Sequence, residues 1–144
     1  MQTCAFFGHS SCSNSIQPIL QREIEKLILN HGITDFLLGD HGDFDVLVLK
    51  TIREIEKIYP IKYRVVLSYL PIAPSFFGED PNSVYPEEIA TVHPKFAIEY
   101  RNNFLISKSD YFITYVTHSY GGAAKFAKKA QNKGKTVINI ADMR

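Results

Sequence analysis

Apolar runs of strand length alternate with segments of helical spacing along this 144-residue chain, and three of the runs end at a glycine. Such alternation predicts an α/β fold. Strands joined through helices pair in parallel and leave both faces of the sheet to be covered. The length suits one domain over residues 1–144, long enough to bury a core without disulfide or metal staples.

The elements follow in order. Thr3 to Phe7 reads as a short buried strand ending at Gly8. Ser13 or Asn14 caps a first helix, whose Ile16, Leu20, Ile24, Leu27 and Ile28 fall on one stripe and which His31-Gly32 stops. Ile33 to Leu38 is a second strand, closed by Gly39. Asp43 caps a second helix with Phe44, Leu47, Val48, Ile52 and Ile55 turned inward, and Pro60 follows its end. Tyr63 to Leu70 is a third strand. Residues 71–94 then hold five of the seven prolines, an irregular excursion of the kind that serves as a lid or binding loop. Within it, Tyr85-Pro-Glu-Glu-Ile-Ala suits a short helical turn. Lys95 to Ser107 is a third helix, Tyr111 to Val116 a fourth strand, Tyr120 to Asn132 a fourth helix, and Thr136 to Ile140 the last strand. The sum is a Rossmann-like three-layer domain with a parallel sheet of about five strands. Such folds bind ligands beyond the carboxyl ends of the strands, where strand order reverses. Gly8, Gly39 and Gly121 all fall at that edge.

With 45% hydrophobic and 22% charged residues, the composition is that of an ordinary globular protein. A formal charge of +1 argues against a protein that tracks nucleic-acid phosphates. Lys125, Lys128, Lys129, Lys133 and Lys135 read as the solvated face of the last helix. Cys4 and Cys12 form no CxxC and have no histidine at a ligand spacing, so no metal and no cofactor are expected. The start lacks the basic and apolar regions of a secretion signal, and no run is long enough to span a bilayer. The expectation is a cytoplasmic protein with two reduced thiols and no membrane partner.

Three glycine turns carry the candidate chemistry. The first, Gly8-His-Ser-Ser-Cys-Ser-Asn14, offers a close approach at Gly8, an imidazole at His9 and a hydroxyl at Ser10, without the full GxGxxG fingerprint. The second, Gly39-Asp-His-Gly-Asp-Phe-Asp45, places three carboxylates that suit ribose hydroxyls, a cation or a base; helix capping explains Asp43 as well, and the helix dipole suits Asp45. The third, Thr117-His-Ser-Tyr-Gly-Gly-Ala-Ala-Lys125, follows a strand and opens a helix, the geometry that aims backbone N–H groups at an anion. His118, Ser119, Gly121 and Gly122 are its candidate ligands. On the third helix, Arg101 suits a phosphate or carboxylate fork, with Asn102 beside it; a surface pair with Glu99 or Asp110 is the structural alternative.

Taken in order, Phe6-Phe-Gly-His, Phe36-Leu-Leu-Gly-Asp-His-Gly-Asp-Phe-Asp45, Glu99-Tyr-Arg-Asn102, Ser109-Asp-Tyr-Phe-Ile, Gly121-Gly-Ala and Val137-Ile-Asn-Ile resemble the SLOG superfamily. These are Rossmann-like relatives of DprA and of the LOG phosphoribohydrolases, here in a small bacterial and phage branch. The resemblance covers nearly the whole chain and implies a nucleotide-type ligand at the glycine turns. It also implies a homo-oligomer paired through helices beside the pocket. In the LOG enzymes an arginine and a glutamate serve cleavage of an N-glycosidic bond. Arg101 matches the arginine, but Gly122 is followed by Ala123-Ala-Lys-Phe-Ala127 with no carboxylate. Cleavage builds oxocarbenium character that needs a carboxylate nearby, and Lys125 has the wrong charge.

Binding or sensing of a nucleotide-derived small molecule is therefore the leading expectation. Gly8, His9, Ser10, Gly39, Asp40, Arg101, Asn102, His118, Ser119, Gly121 and Gly122 form the site, and the aromatic excursion covers the base. The alternative is an N-glycosidase on a nucleoside monophosphate, with Asp40 or Asp45 as carboxylate and Arg101 holding the phosphate. Single-strand nucleic-acid binding is the weakest reading, for want of a basic, aromatic groove.

Overall fold

The computed structural model describes residues 2–71 and 73–143; residues 1, 72 and 144, which belong to the expected domain range and excursion, lie outside the described residues. Six parallel strands are present among the described residues: β1 (Thr3–Gly8), β2 (Asp35–Leu38), β3 (Lys62–Val66), β4 (Ser83–Val84), β5 (Tyr111–Tyr115) and β6 (Thr136–Asn139). Their order across the sheet is β4-β3-β2-β1-β5-β6. The sheet is flanked by α1 (Gln17–His31), α2 (Asp43–Glu56), α3 (Glu87–Ala90), α4 (Ala97–Lys108) and α5 (Gly122–Asn132). The fold is the Rossmann-like α/β arrangement that the alternation predicts, with one more strand.

Alternation along each strand divides the core into two layers. Cys4, Phe6, Phe36, Leu38 and Val65 face α1 and α2, where Leu20, Ile24, Phe44, Val48 and Ile52 complete one cluster. Ala5, Phe7, Leu37 and Phe112 face the other way, toward Ile89 of α3, Leu105 and Ile106 of α4, and Phe126 and Ala130 of α5. A one-residue slip in any strand would exchange the two sets, so burial on both faces fixes the register.

Local chemistry sets the element ends. Ser13 accepts a hydrogen bond from the Ser15 N–H at 3.2 Å and caps a 3₁₀ turn over Asn14–Ile16 that leads into α1. Gly32 ends α1 in the left-handed region at φ 64°, as the His31-Gly32 pair predicts. Asp43 does not cap α2. Gly42 does, at φ 91° and ψ 173°, while Asp43 is the first helical residue and accepts from the Cys12 N–H at 3.4 Å. A Cβ at Gly42 would lie 2.6 Å from the Ser10 Cα, so the turns after β1 and β2 touch there.

The third strand is shorter than its apolar run. Leu67 still donates its N–H to the Val84 carbonyl, but Ser68 turns its N–H to the Asp40 carboxylate at 2.9 Å. The excursion supplies β4, two residues with no apolar pattern of their own. Asp80 pins it: the buried carboxylate accepts from Arg53 Nη2 at 2.8 Å, the Tyr63 hydroxyl at 2.9 Å and the Asn82 N–H at 2.8 Å. The Arg53 guanidinium also lies 4.9 Å from the centre of the Phe76 ring. At the other edge, Asn139 donates from Nδ2 to the Val116 carbonyl and accepts the Val116 N–H on Oδ1, at 2.9 and 3.0 Å. This side chain extends the β5–β6 ladder by one rung and holds the end of β5. Among the described residues, no helix is long and apolar enough to cross a membrane.

Candidate ligand-binding site

Strand order reverses between β1 and β5, and beyond their carboxyl ends lies a cavity of about 480 Å³. The first turn contributes Gly8, His9 and Ser10 to its wall, and α4 contributes Arg101 and Asn102. The third turn contributes His118, Gly121 and Gly122, and α2 contributes Asp45. Gly39, Asp40 and Ser119 are not among the lining residues.

Two of the glycines serve packing. A Cβ on Gly8 would fall 2.1 Å from the ring of Phe44, which is fully buried. A Cβ on Gly39 would fall 2.5 Å from Asp45 Oδ2 and 3.0 Å from Arg101 Nη1. At both turns glycine makes room for a side chain of this protein.

The three carboxylates of the second turn take separate partners. Asp40 accepts from the Ser68 N–H and hydroxyl, both at 2.9 Å, and forms a short ion pair with Arg101 Nη1. Arg101 also donates from Nε to Asn102 Oδ1 at 2.9 Å, so its fork is fixed on two sides while it lines the cavity. Neither of the expected surface partners, Glu99 or Asp110, holds it; Glu99 pairs with Lys125 at 3.5 Å. Asp43 serves Cys12, as described. Asp45 is buried, accepts the His41 N–H at 3.0 Å and keeps a place in the cavity wall. Burial pushes its carboxyl up to about 6, against the opposing pull of the Arg101 guanidinium. No group of three or more His, Cys, Asp or Glu side chains gathers as a metal set among the described residues.

The cavity's positive end is the start of α5. Gly121 is its N-cap, at φ 90° and ψ 171°, and supplies no side chain to the helix. The first turn of α5 has no acidic residue. Its leading N–H groups precede the Lys125 N–H to Gly121 carbonyl bond, the first of the helix, and so lack intrahelical acceptors. Gly122 and Ala123 present them to the cavity. The start of α2 is the opposite case, already carrying Asp43 and Asp45. Lys125 points toward α4 and does not line the cavity.

Three aromatic rings stand beside this helix start. His9 and His118 stack at 3.8 Å between centres, and His118 and Tyr120 at 3.9 Å. His9 Nε2 accepts the Thr117 N–H at 2.9 Å. His118 Nδ1 lies 2.9 Å from the Tyr120 carbonyl, which can only accept, so that nitrogen carries the proton. Burial, and then the neighbouring His118, hold the His9 imidazole below its ordinary value and favour the neutral form that accepts from Thr117. Sequence reasoning missed Tyr120 and Tyr115 as wall residues; an aromatic directly before Gly-Gly was the available signal. It also misplaced the aromatic lid. No described residue of 71–94 lines the cavity: β4 takes part of the segment to the far edge of the sheet, and Ile89 of α3 is buried in the core beside α4.

No protein-family model matches the chain. No curated protein matches it either. Among solved structures, it is similar to the DNA processing protein A (DprA) from Streptococcus pneumoniae, with a TM-score of 0.71 at 15% identity. That match covers 95% of this chain and 49% of DprA, so this chain spans about half of the other's length. At this identity the likeness establishes a shared fold.

Proposed function

We propose that this chain binds or senses a nucleotide or nucleotide-derived ligand, as a SLOG-type domain, with the ligand's phosphate on the start of α5. The observation that carries this reading is the N-terminus of α5, which has no side-chain cap and no acid and opens into a cavity that Arg101 also lines. Unpaired N–H groups and the helix dipole favour an anion there. About 480 Å³ lies within the range of roughly 300–1,000 Å³ usual for small-molecule sites. DNA processing is named for DprA; here a cavity of this size and a net charge of +1 favour a small ligand over a strand. A cytosolic location is part of the reading, as is self-association through helices beside the cavity, the latter taken from the family resemblance.

One observation favours cleavage as a second reading. Asp45 is a buried carboxylate on the same wall as Arg101, and its proton affinity is raised toward neutrality. Ionised, it would stabilise positive charge at the anomeric carbon as the C–N bond breaks. Water would then add to that carbon, its proton leaving with the base. Asp40 is the poorer candidate, because its carboxylate is held by Ser68 and Arg101.

A thermal-shift screen of nucleoside monophosphates, ADP-ribose derivatives, cyclic nucleotides and NAD tests both readings, with chromatography of each hit. Binding predicts stabilisation by a phosphorylated ligand that is recovered intact. Gly122→Asp should abolish that stabilisation while leaving the fold intact. A Cβ at Gly122 meets nothing within 4 Å, and an acid suits a helix start. Release of free base, lost in Asp45→Asn, would instead establish the glycosidase. Stabilisation unaltered by Gly122→Asp would remove α5 as the phosphate site.

A further inference from the structure

The ring stack His9–His118–Tyr120 is an assembled column with one open end. His118 is covered on both faces, at 3.8 and 3.9 Å, with interplanar angles of 12° and 17°. Among the described residues no ring covers the outer face of Tyr120, which is 72% exposed and belongs to the cavity wall. The column is tied to the backbone that would hold the phosphate: His9 accepts from Thr117, and His118 donates to the Tyr120 carbonyl. The next two residues are Gly121 and Gly122 of the α5 start. One short turn therefore brings the N–H donors of the α5 start and the ring of Tyr120 to the same cavity, both ordered before any ligand arrives. Ordering in advance lowers the entropy lost on binding. The aromatics of the excursion are engaged elsewhere, Phe76 under Arg53, and Phe77 and Tyr85 against the core, while Tyr115 on the cavity wall is buried in the core cluster.

We infer that Tyr120 is the stacking platform for a nucleobase, and that it makes the site selective for base-bearing phosphates over sugar phosphates. This rests on the reading of α5 as the phosphate site and adds the residue that recognises the rest of the ligand. A phenol ring on a two-histidine column offers no hydrogen-bond code to the base, so the discrimination is by flat area. Purines outrank pyrimidines, and adenine and guanine bind alike. Base–aromatic stacking contributes about 1–3 kcal/mol, a factor of roughly 5 to 150 in affinity.

The test is calorimetric titration of AMP, GMP, CMP, UMP and ribose 5-phosphate into wild type, Tyr120→Phe, Tyr120→Ala and Gly122→Asp. Proton NMR follows the purine H2 and H8 resonances of bound AMP. Wild type should bind AMP about tenfold or more tightly than ribose 5-phosphate and shift H2 and H8 upfield. Tyr120→Ala should bring AMP down to the level of ribose 5-phosphate, leave ribose 5-phosphate unchanged and abolish the upfield shift. Tyr120→Phe should retain all three properties. An AMP to ribose 5-phosphate ratio unaltered in Tyr120→Ala overturns the platform. If Gly122→Asp still abolishes AMP binding in that case, the phosphate site stands without it. Binding of none of these probes to wild type overturns both.

Discussion

Asp45 shows what a single buried acid does to the molecule. Its folded-state value of about 6 lies above the 3.8 of an unperturbed carboxyl, so the native state holds this proton more tightly than the unfolded chain. The associated stability is fully present below pH about 4 and is lost as pH rises toward 6. The difference is on the order of 2–3 kcal/mol. Asp45→Asn should therefore raise the urea midpoint at pH 8 relative to wild type, and the two proteins should converge near pH 4. A wild-type advantage at pH 8 would mean that the Arg101 attraction outweighs burial. Residues like this were only half legible in the sequence. His9 and the third glycine turn follow from their place at the strand ends, and Arg101 from its guanidinium fork on the helix before the last glycine turn. Gly8 and Gly39 looked like room for a ligand, but Phe44 fills that room at the first and Asp45 with Arg101 at the second, and Phe44 and Arg101 lie many residues away from the glycines they meet.

Among elements, the excursion is where periodicity fails and side-chain chemistry takes over. Strand β4 is two residues long, too short for any alternating signal, and its position depends on Asp80. Asp80→Ala would strand the Tyr63 hydroxyl and free Arg53 to solvent, at a cost of about 1–3 kcal/mol. Hydrogen exchange should show faster amide exchange across residues 76–92, with β1 and β5 unaffected. AMP affinity should stay as in wild type, because no described residue of the excursion lines the cavity. Loss of affinity would make this segment part of the site after all. The helices, by contrast, were readable from their stripes. The starts of α2 and α5 were not, since Gly42 and Gly121 cap them through backbone conformation.

At the scale of the whole molecule, Asp40 ties together the end of β2, the chain leaving β3 and the middle of α4. This web crosses the sheet's carboxyl edge and holds the floor beneath the cavity. Removing either charge leaves the other buried, a loss of about 3–5 kcal/mol for Asp40→Asn or Arg101→Met. The double variant should lose less than the sum of the two, by about 1–3 kcal/mol, in equilibrium urea unfolding. Additive losses would show that the pair does not act as a unit. The layered architecture was plain from the alternation of elements. The web was not, because it joins residues 40, 68 and 101, which no local pattern connects.

In genetic terms, the Gly121-Gly122 doublet is two different positions under one letter. Codon 121, like codon 42, encodes a backbone angle that L side chains avoid, and a saturation library should return glycine at both. Codon 122 has no positive φ and open space around it, so many residues could stand there without harm to the fold. A lineage of this chain changing the charge it accepts would thus find its shortest route through codon 122.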